Sequence, residues 1–171
     1  ARFLPRDQEV INSYLSLPEV RKLLPREYRY AKFLWGKQDT DGLTSLYAIK
    51  SNRDDTPPLS GGVVVDASQS YDAVGNAAVS MQMNAQGARI WEDLTGVAYA
   101  QNSNIAIVLD DIIYSAPGVT RGAISGGRSE ITGDFDLNEA IDLANVLRAG
   151  KLPASATIIQ SEVVGPSLGQ E

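Results

Sequence analysis

Three kinds of residue in this sequence could do chemistry: paired carboxylates, a glycine pair beside an arginine, and isolated serines. Asp54 and Asp55 are adjacent, as are Asp110 and Asp111, and Asp134 and Asp136 are separated by one residue. A glycosidase needs two carboxyls facing each other across a cleft, which neighbours in one strand or turn cannot provide. A calcium loop needs a spaced oxygen series such as D-x-D-x-D-G, which is absent. Turn and helix-cap roles therefore fit these aspartates best. In Gly126-Gly127-Arg128, two backbone amides and a guanidinium could cradle an anion. No Lys-Ser/Thr follows as in a phosphate loop, so the pair reads as a turn or bulge that needs positive φ. Ser60, Ser115 and Ser125 have neither a histidine nor an S-x-x-K lysine to activate them. Met81 and Met83 alternate with polar residues and could form an adaptable peptide-binding surface, although core packing is the commoner use.

The chain has no histidine and no cysteine. That removes disulfides, thiol chemistry, the usual zinc sites and every triad built on imidazole. The expectation is no catalysis, no metal and no cofactor. A net charge of −6, from 15 basic and 21 acidic residues, argues against nucleic acid, because phosphate contacts need clustered Lys and Arg. At 171 residues, 43% hydrophobic and 21% charged, the chain can fold around a core. No apolar run approaches the ~20 residues that span a bilayer, and no signal-peptide pattern is present.

These residues must be positioned by a succession of short elements. Asp7 is placed to cap a first helix with Val10, Ile11, Tyr14 and Leu15 on one face. Pro18 begins a second, short helix that Pro25 ends. Residues 26–35, rich in aromatics, and 43–49 read as a hairpin around a polar turn at 36–42. The polar stretch 51–58, ending in Pro57-Pro58, is a loop. Residues 63–67 and 77–83 follow as strands, with Asp72 to Asn76 turning the chain between them. Asn84 then caps a helix to about Thr95, with Ala88, Trp91 and Leu94 inward. Gly87 weakens that helix by roughly 1 kcal/mol relative to Ala. Residues 104–109 form an apolar strand buried on both faces, and Asp110-Asp111 reverses the chain into Ile112 to Tyr114. Asp136 and Glu139 have the spacing of a capping box, with Phe135 placed to staple onto Ala140. Leu137, Ala140, Ile141, Ala144 and Leu147 give the helix that follows one apolar stripe. Gly150 and Pro153 end it, and residues 156–164 form a last strand. The order after Leu59, β-β-α-β-β-α-β, predicts an α+β fold: a largely antiparallel sheet with helices packed on one face.

Six segments in order also resemble SecD, alone or fused to SecF as SecDF. They are Asn104-Ile-Ala-Ile-Val-Leu-Asp, Tyr114-Ser-Ala-Pro, Gly126-Gly-Arg, Gly133-Asp-Phe, the run from Glu139 through Asp142-Leu-Ala-Asn-Val-Leu-Arg-Ala-Gly-Lys-Leu-Pro-Ala, and Val164-Gly-Pro-Ser-Leu-Gly. The resemblance covers 59–169 well and 1–58 loosely. It implies the head region of the first periplasmic domain over residues 1–155, with 1–58 its variable start and 59–155 its best-matching part. Residues 156–171 would return toward a base sub-domain and a following transmembrane helix. It also implies a water-facing segment of an integral protein of the bacterial inner membrane, on the periplasmic side. The expected partners are a translocating unfolded polypeptide and, by resemblance, SecF and the SecY channel. The stroke would be driven by the proton-motive force through ionisable residues in membrane helices outside this chain.

A structural docking domain for SecF or another envelope protein is the alternative. For contact with polypeptide, Tyr114, Val119 and Ile124 are the candidates, because they sit in or beside the irregular segment 116–127 where apolar side chains are left partly exposed. That segment lies between a hairpin and a capped helix and could move without unfolding either.

Overall fold

The computed structural model describes residues 1–28, 30–39, 41–51, 53–149 and 155–159. In chain order the elements are β1 (Arg2–Phe3), α1 (Gln8–Ser16), α2 (Pro18–Leu23), β2 (Lys32–Gln38), β3 (Thr44–Ile49), β4 (Val64–Tyr71), β5 (Ala77–Met83), α3 (Ala85–Ala100), β6 (Asn104–Leu109), β7 (Ile112–Ser115), β8 (Arg128–Thr132), α4 (Leu137–Arg148) and β9 (Ser155–Ile159). The fold is α+β, as the element order predicts, and its strands divide into two mostly antiparallel sheets. The larger runs β1-β3-β2-β7-β6-β9, and Ile159 of β9 also pairs with Ile49 of β3. Among the described residues, only β2 and β7 run parallel in it. The smaller sheet runs β4-β5-β8.

Strand β6 joins the two halves because both of its faces are apolar. Ile105, Ile107 and Leu109 enter the larger core, with Val79, Met81 and Ile131 of the small sheet and Trp91, Leu94, Ala140, Leu143, Ala144 and Leu147 of the two long helices. Ala106 and Val108 enter a second, smaller core with Leu34, Ile49 and Ile113. Period-two alternation cannot bury both faces unless every residue is apolar, and here every one from 105 to 109 is. The hairpin after β6 is a two-residue loop with Asp110 at φ 49° and Asp111 at φ 61°. That is the left-handed pair a twisted hairpin requires.

Several boundaries differ from those expected. Residues 128–132 form a third strand of the small sheet, pairing Arg128 to Thr132 with Gln82 to Ala78. The sequence conceals this strand, since four of its five residues are polar and only Ile131 is buried. Helix α3 continues past Thr95 to Ala100, so the connection to β6 is only three residues long. Gly87, in the first turn of α3, packs against the turn that precedes β4. A Cβ there would stand 2.7 Å from Val63, so the glycine permits close packing as well as lowering helix propensity. Asp7 accepts no capping hydrogen bond, and α1 buries no residue. In α4 the capping box forms as expected, but Leu137 and Ile141 are exposed and Leu143 is buried instead. Met81 and Met83 are both buried, which takes them out of consideration as an open surface. Gly150, Pro153 and residues 160–164 lie outside the described residues.

Candidate functional site

A cleft of about 750 Å³ opens between the β2–β3 hairpin and the N-terminus of α4. It is lined by Tyr47, by Tyr114 to Pro117, and by Thr132 to Asp136 with Glu139. The fold builds this lining from residues far apart in sequence. The parallel pairing of β2 with β7 sets Gly36 beside Ile113. The Ser115 hydroxyl donates to the Thr132 carbonyl, drawing the end of β8 against the end of β7. Gly133 accommodates this approach, since a Cβ would meet the Phe135 ring at 2.9 Å and the Ser115 Oγ at 3.1 Å.

Charge in the cleft centres on Glu139. One carboxylate oxygen accepts from the Asp136 amide at 3.0 Å while the Glu139 amide donates to Asp136 Oδ1 at 2.8 Å, which is the capping box. The other oxygen is ion-paired with Lys37, 102 residues away in sequence. The Lys37 Nζ also lies 5.1 Å from the centroid of the Tyr114 ring. The Lys37 hydrogen bond, then the Asp136 amide, holds the Glu139 carboxyl below the ordinary glutamate range. At the mouth, Asp39 is held by Arg2 and receives the Leu43 and Asp41 amides, which also lowers its carboxyl.

The three sequence candidates are not brought together. Tyr114 lines the cleft, half-buried. Val119 and Ile124 are half-buried against the larger core and do not line it. Their segment is tied at several points. Asn104 Nδ2 donates to the Ala116 carbonyl at 2.7 Å and the Ile105 amide to that of Pro117 at 3.0 Å. The Ile124 amide donates to the buried Thr95 hydroxyl at 2.8 Å, and the Met83 amide to the Gly127 carbonyl at 2.7 Å. Gly126 and Gly127 have φ of 84° and 73°, and a Cβ on Gly127 would stand 2.9 Å from Ala88, so the pair is a structural bend. Sequence reasoning missed Lys37, which it placed in a polar turn, and Tyr47, and it gave Asp134 only a turn or cap role. Nothing local in the sequence links Lys37 to Glu139.

Among the described residues, no group of three or more acidic side chains is placed to hold a metal ion, and no helix is long and apolar enough to cross a membrane. What the geometry defines is a two-sheet α+β module whose open cleft has a mixed aromatic and acidic wall. Residues 39–154 match the family described as the SecDF P1 head subdomain, and the chain belongs to that family. The protein translocase subunit SecD of Rhodothermus marinus is 41% identical over 166 residues, covering 96% of this chain and 26% of the relative. That of Calditerrivibrio nitroreducens is 50% identical over 93 residues, covering 54% of this chain and 17% of the relative. A crystal structure of SecDF in a super-membrane-facing form is 30% identical, covers 87% of this chain and 17% of that one, and has a TM-score of 0.49. The chain thus spans 26% and 17% of the lengths of these two translocase subunits.

Proposed function

We propose that this chain is the part of a SecD-type export subunit that touches the polypeptide in transit, on the periplasmic side of the bacterial inner membrane, without catalysing any covalent step. Residues 1–155 would act as the head and residues 156–171 would lead back toward the base. The proton-motive force would act through ionisable groups in membrane helices outside this chain. The observation that carries this reading is the open cleft at Tyr114 in a member of the SecDF P1 head family. A surface that serves many different chains must grip weakly and without a fixed sequence. Aromatic rings, exposed backbone and a few charges meet that need better than a deep apolar pocket. Binding to unfolded apolar peptides is expected on the order of 0.1–1 mM.

A photoreactive residue placed at Tyr114, Tyr47 or Pro117 during active export should give adducts with the exported chain. Labels at Val97 or Tyr99 on α3 should not. Adducts confined to α3 would move the contact surface away from the cleft. Val119 and Ile124 are proposed as outlying contacts. Because both pack on the larger core, replacing them together with Ser is expected to cost about 1 kcal/mol each as well as weakening binding. Separating the two effects requires a stability measurement beside each titration.

A second reading, docking onto SecF or another envelope protein, draws on a different surface. Helices α1 and α2 bury no residue, and Val10, Tyr14, Leu17 and Leu23 are all exposed there. Crosslinks from Tyr14 to another envelope protein, independent of export, would favour it.

A further inference from the structure

We infer that the cleft prefers polypeptide segments that carry a Lys or Arg side chain beside an aromatic or branched apolar one. This rests on the reading of the cleft as the polypeptide-contacting surface and goes on to name what it selects. The walls carry four carboxylates, Asp39, Asp134, Asp136 and Glu139, against the single ammonium of Lys37. Lys37 pairs with Glu139, and Arg2 reaches Asp39 from outside the lining. Two of the four, Asp134 and Asp136, then have no cationic partner among the described residues, and both are exposed. An incoming cation would meet the Asp134 carboxylate, and the Asp136 carboxylate that it would share with the N-terminus of α4, within one screening length, about 8–10 Å at ordinary ionic strength.

The cleft also shows how it holds a cation. The Lys37 ammonium sits on the Tyr114 ring and against the Glu139 carboxylate, and its side chain is still 30% exposed. A ring face backed by a carboxylate is a seat for ammonium or, better, guanidinium. The half-buried Tyr47 stands beside it for the neighbouring apolar side chain. An acidic side chain in the same place would face Asp134 and Asp136 without a free cation among the lining residues.

The test is an amide-shift NMR titration of this chain with three extended peptides that differ only at one central residue, Arg, norleucine or Glu, flanked by Leu and Phe. The Arg peptide should bind about fivefold tighter than the norleucine peptide, and the Glu peptide weakest, with shifts at Gly36, Ser115 and Gly133. The Arg preference should shrink several-fold as salt rises from about 50 to about 500 mM. Asp134→Asn should reduce it about twofold, whereas Asp93→Asn on α3, an equal change in net charge, should not. Lys37→Met, which vacates the seat, should increase affinity for the Arg peptide. Equal affinity for all three peptides with shifts in the cleft would overturn the cationic preference and leave the contact reading standing. So would an equal effect of the two Asn variants. Absence of any peptide-induced shift in the cleft would overturn the contact reading itself. Shifts in the same amides with protein concentration alone would assign the cleft to a second copy and overturn both.

Discussion

Helices α1 and α4 have comparable apolar spacing, yet the protein treats them differently. In α4, Ala140, Leu143, Ala144 and Leu147 are all buried against β4 and β5, and the N-terminus is closed by a reciprocal capping box. In α1 no residue is buried, the preceding Asp7 makes no capping bond, and Val10 and Tyr14 are 57% and 62% exposed. Polar side chains secure this N-terminal hairpin instead. Trp35 Nε1 donates to Asn12 Oδ1, and Arg21 donates to the Ala31 carbonyl and lies 5.6 Å from the Phe33 ring centroid. Burial of apolar area contributes kilocalories per side chain, whereas exposed polar contacts contribute tenths. The two ends of the chain should therefore differ sharply in local stability.

The largest effect should come from emptying the better-packed end. Leu143 is 1% exposed, and Leu143→Ala should cost about 3 kcal/mol in urea denaturation through lost transfer energy and a residual cavity. Val10→Ala in α1 should cost under about 0.5 kcal/mol. Similar losses at both sites would mean that α1 is covered in solution, and the contrast would fail.

Gly87→Ala comes next. Helix propensity alone would stabilise by about 1 kcal/mol. The Cβ would stand 2.7 Å from Val63, so overpacking at the junction should prevail and the variant should lose about 1–2 kcal/mol. A gain would show that the Val63 turn yields freely.

The caps sharpen the comparison of the two helices directly. Asp136→Ala should cost about 1 kcal/mol, whereas Asp7→Ala should stay within about 0.5 kcal/mol of wild type. Glu139 adds a pH signature. Its carboxyl is held below the ordinary range, chiefly by Lys37, so its contribution is present above that range and fades as pH falls through the lowered value. In Glu139→Gln, which can still close the box, stability should fall less steeply on acidification than in wild type. An unchanged acid limb would remove the ion pair from the account.

The smallest effect is at the β6–β7 turn. Asp111 occupies the left-handed position where Gly is favoured, and its ion pair with Lys32, at 3.4 Å, is exposed. Asp111→Gly should stabilise by a few tenths to about 1 kcal/mol, because relief of the left-handed strain exceeds both the added unfolded-state entropy and a surface pair. A lower denaturation midpoint would mean that the pair matters more than the strain.

The sequence by itself determined the features whose causes are local. Asp110-Asp111 turns as expected because side-chain sterics restrict φ. The box of Asp136 and Glu139 forms because its groups are three residues apart. Residues 105–109 are buried on both faces because none of them is polar. The lack of His and Cys likewise excludes imidazole and thiol chemistry without reference to the fold. The tertiary structure decided what depends on distant partners. It made the polar run 128–132 a strand by offering it the edge of β5. It rotated the buried face of α4 toward Leu143 and left α1 uncovered, because periodicity fixes that a face exists and not what meets it. It also made the cleft, since Lys37 reaches Glu139 only once β2 has paired with β7 and α4 has packed on the small sheet. No local pattern encodes an ion pair spanning 102 residues, because its geometry is the sum of every packing step between them.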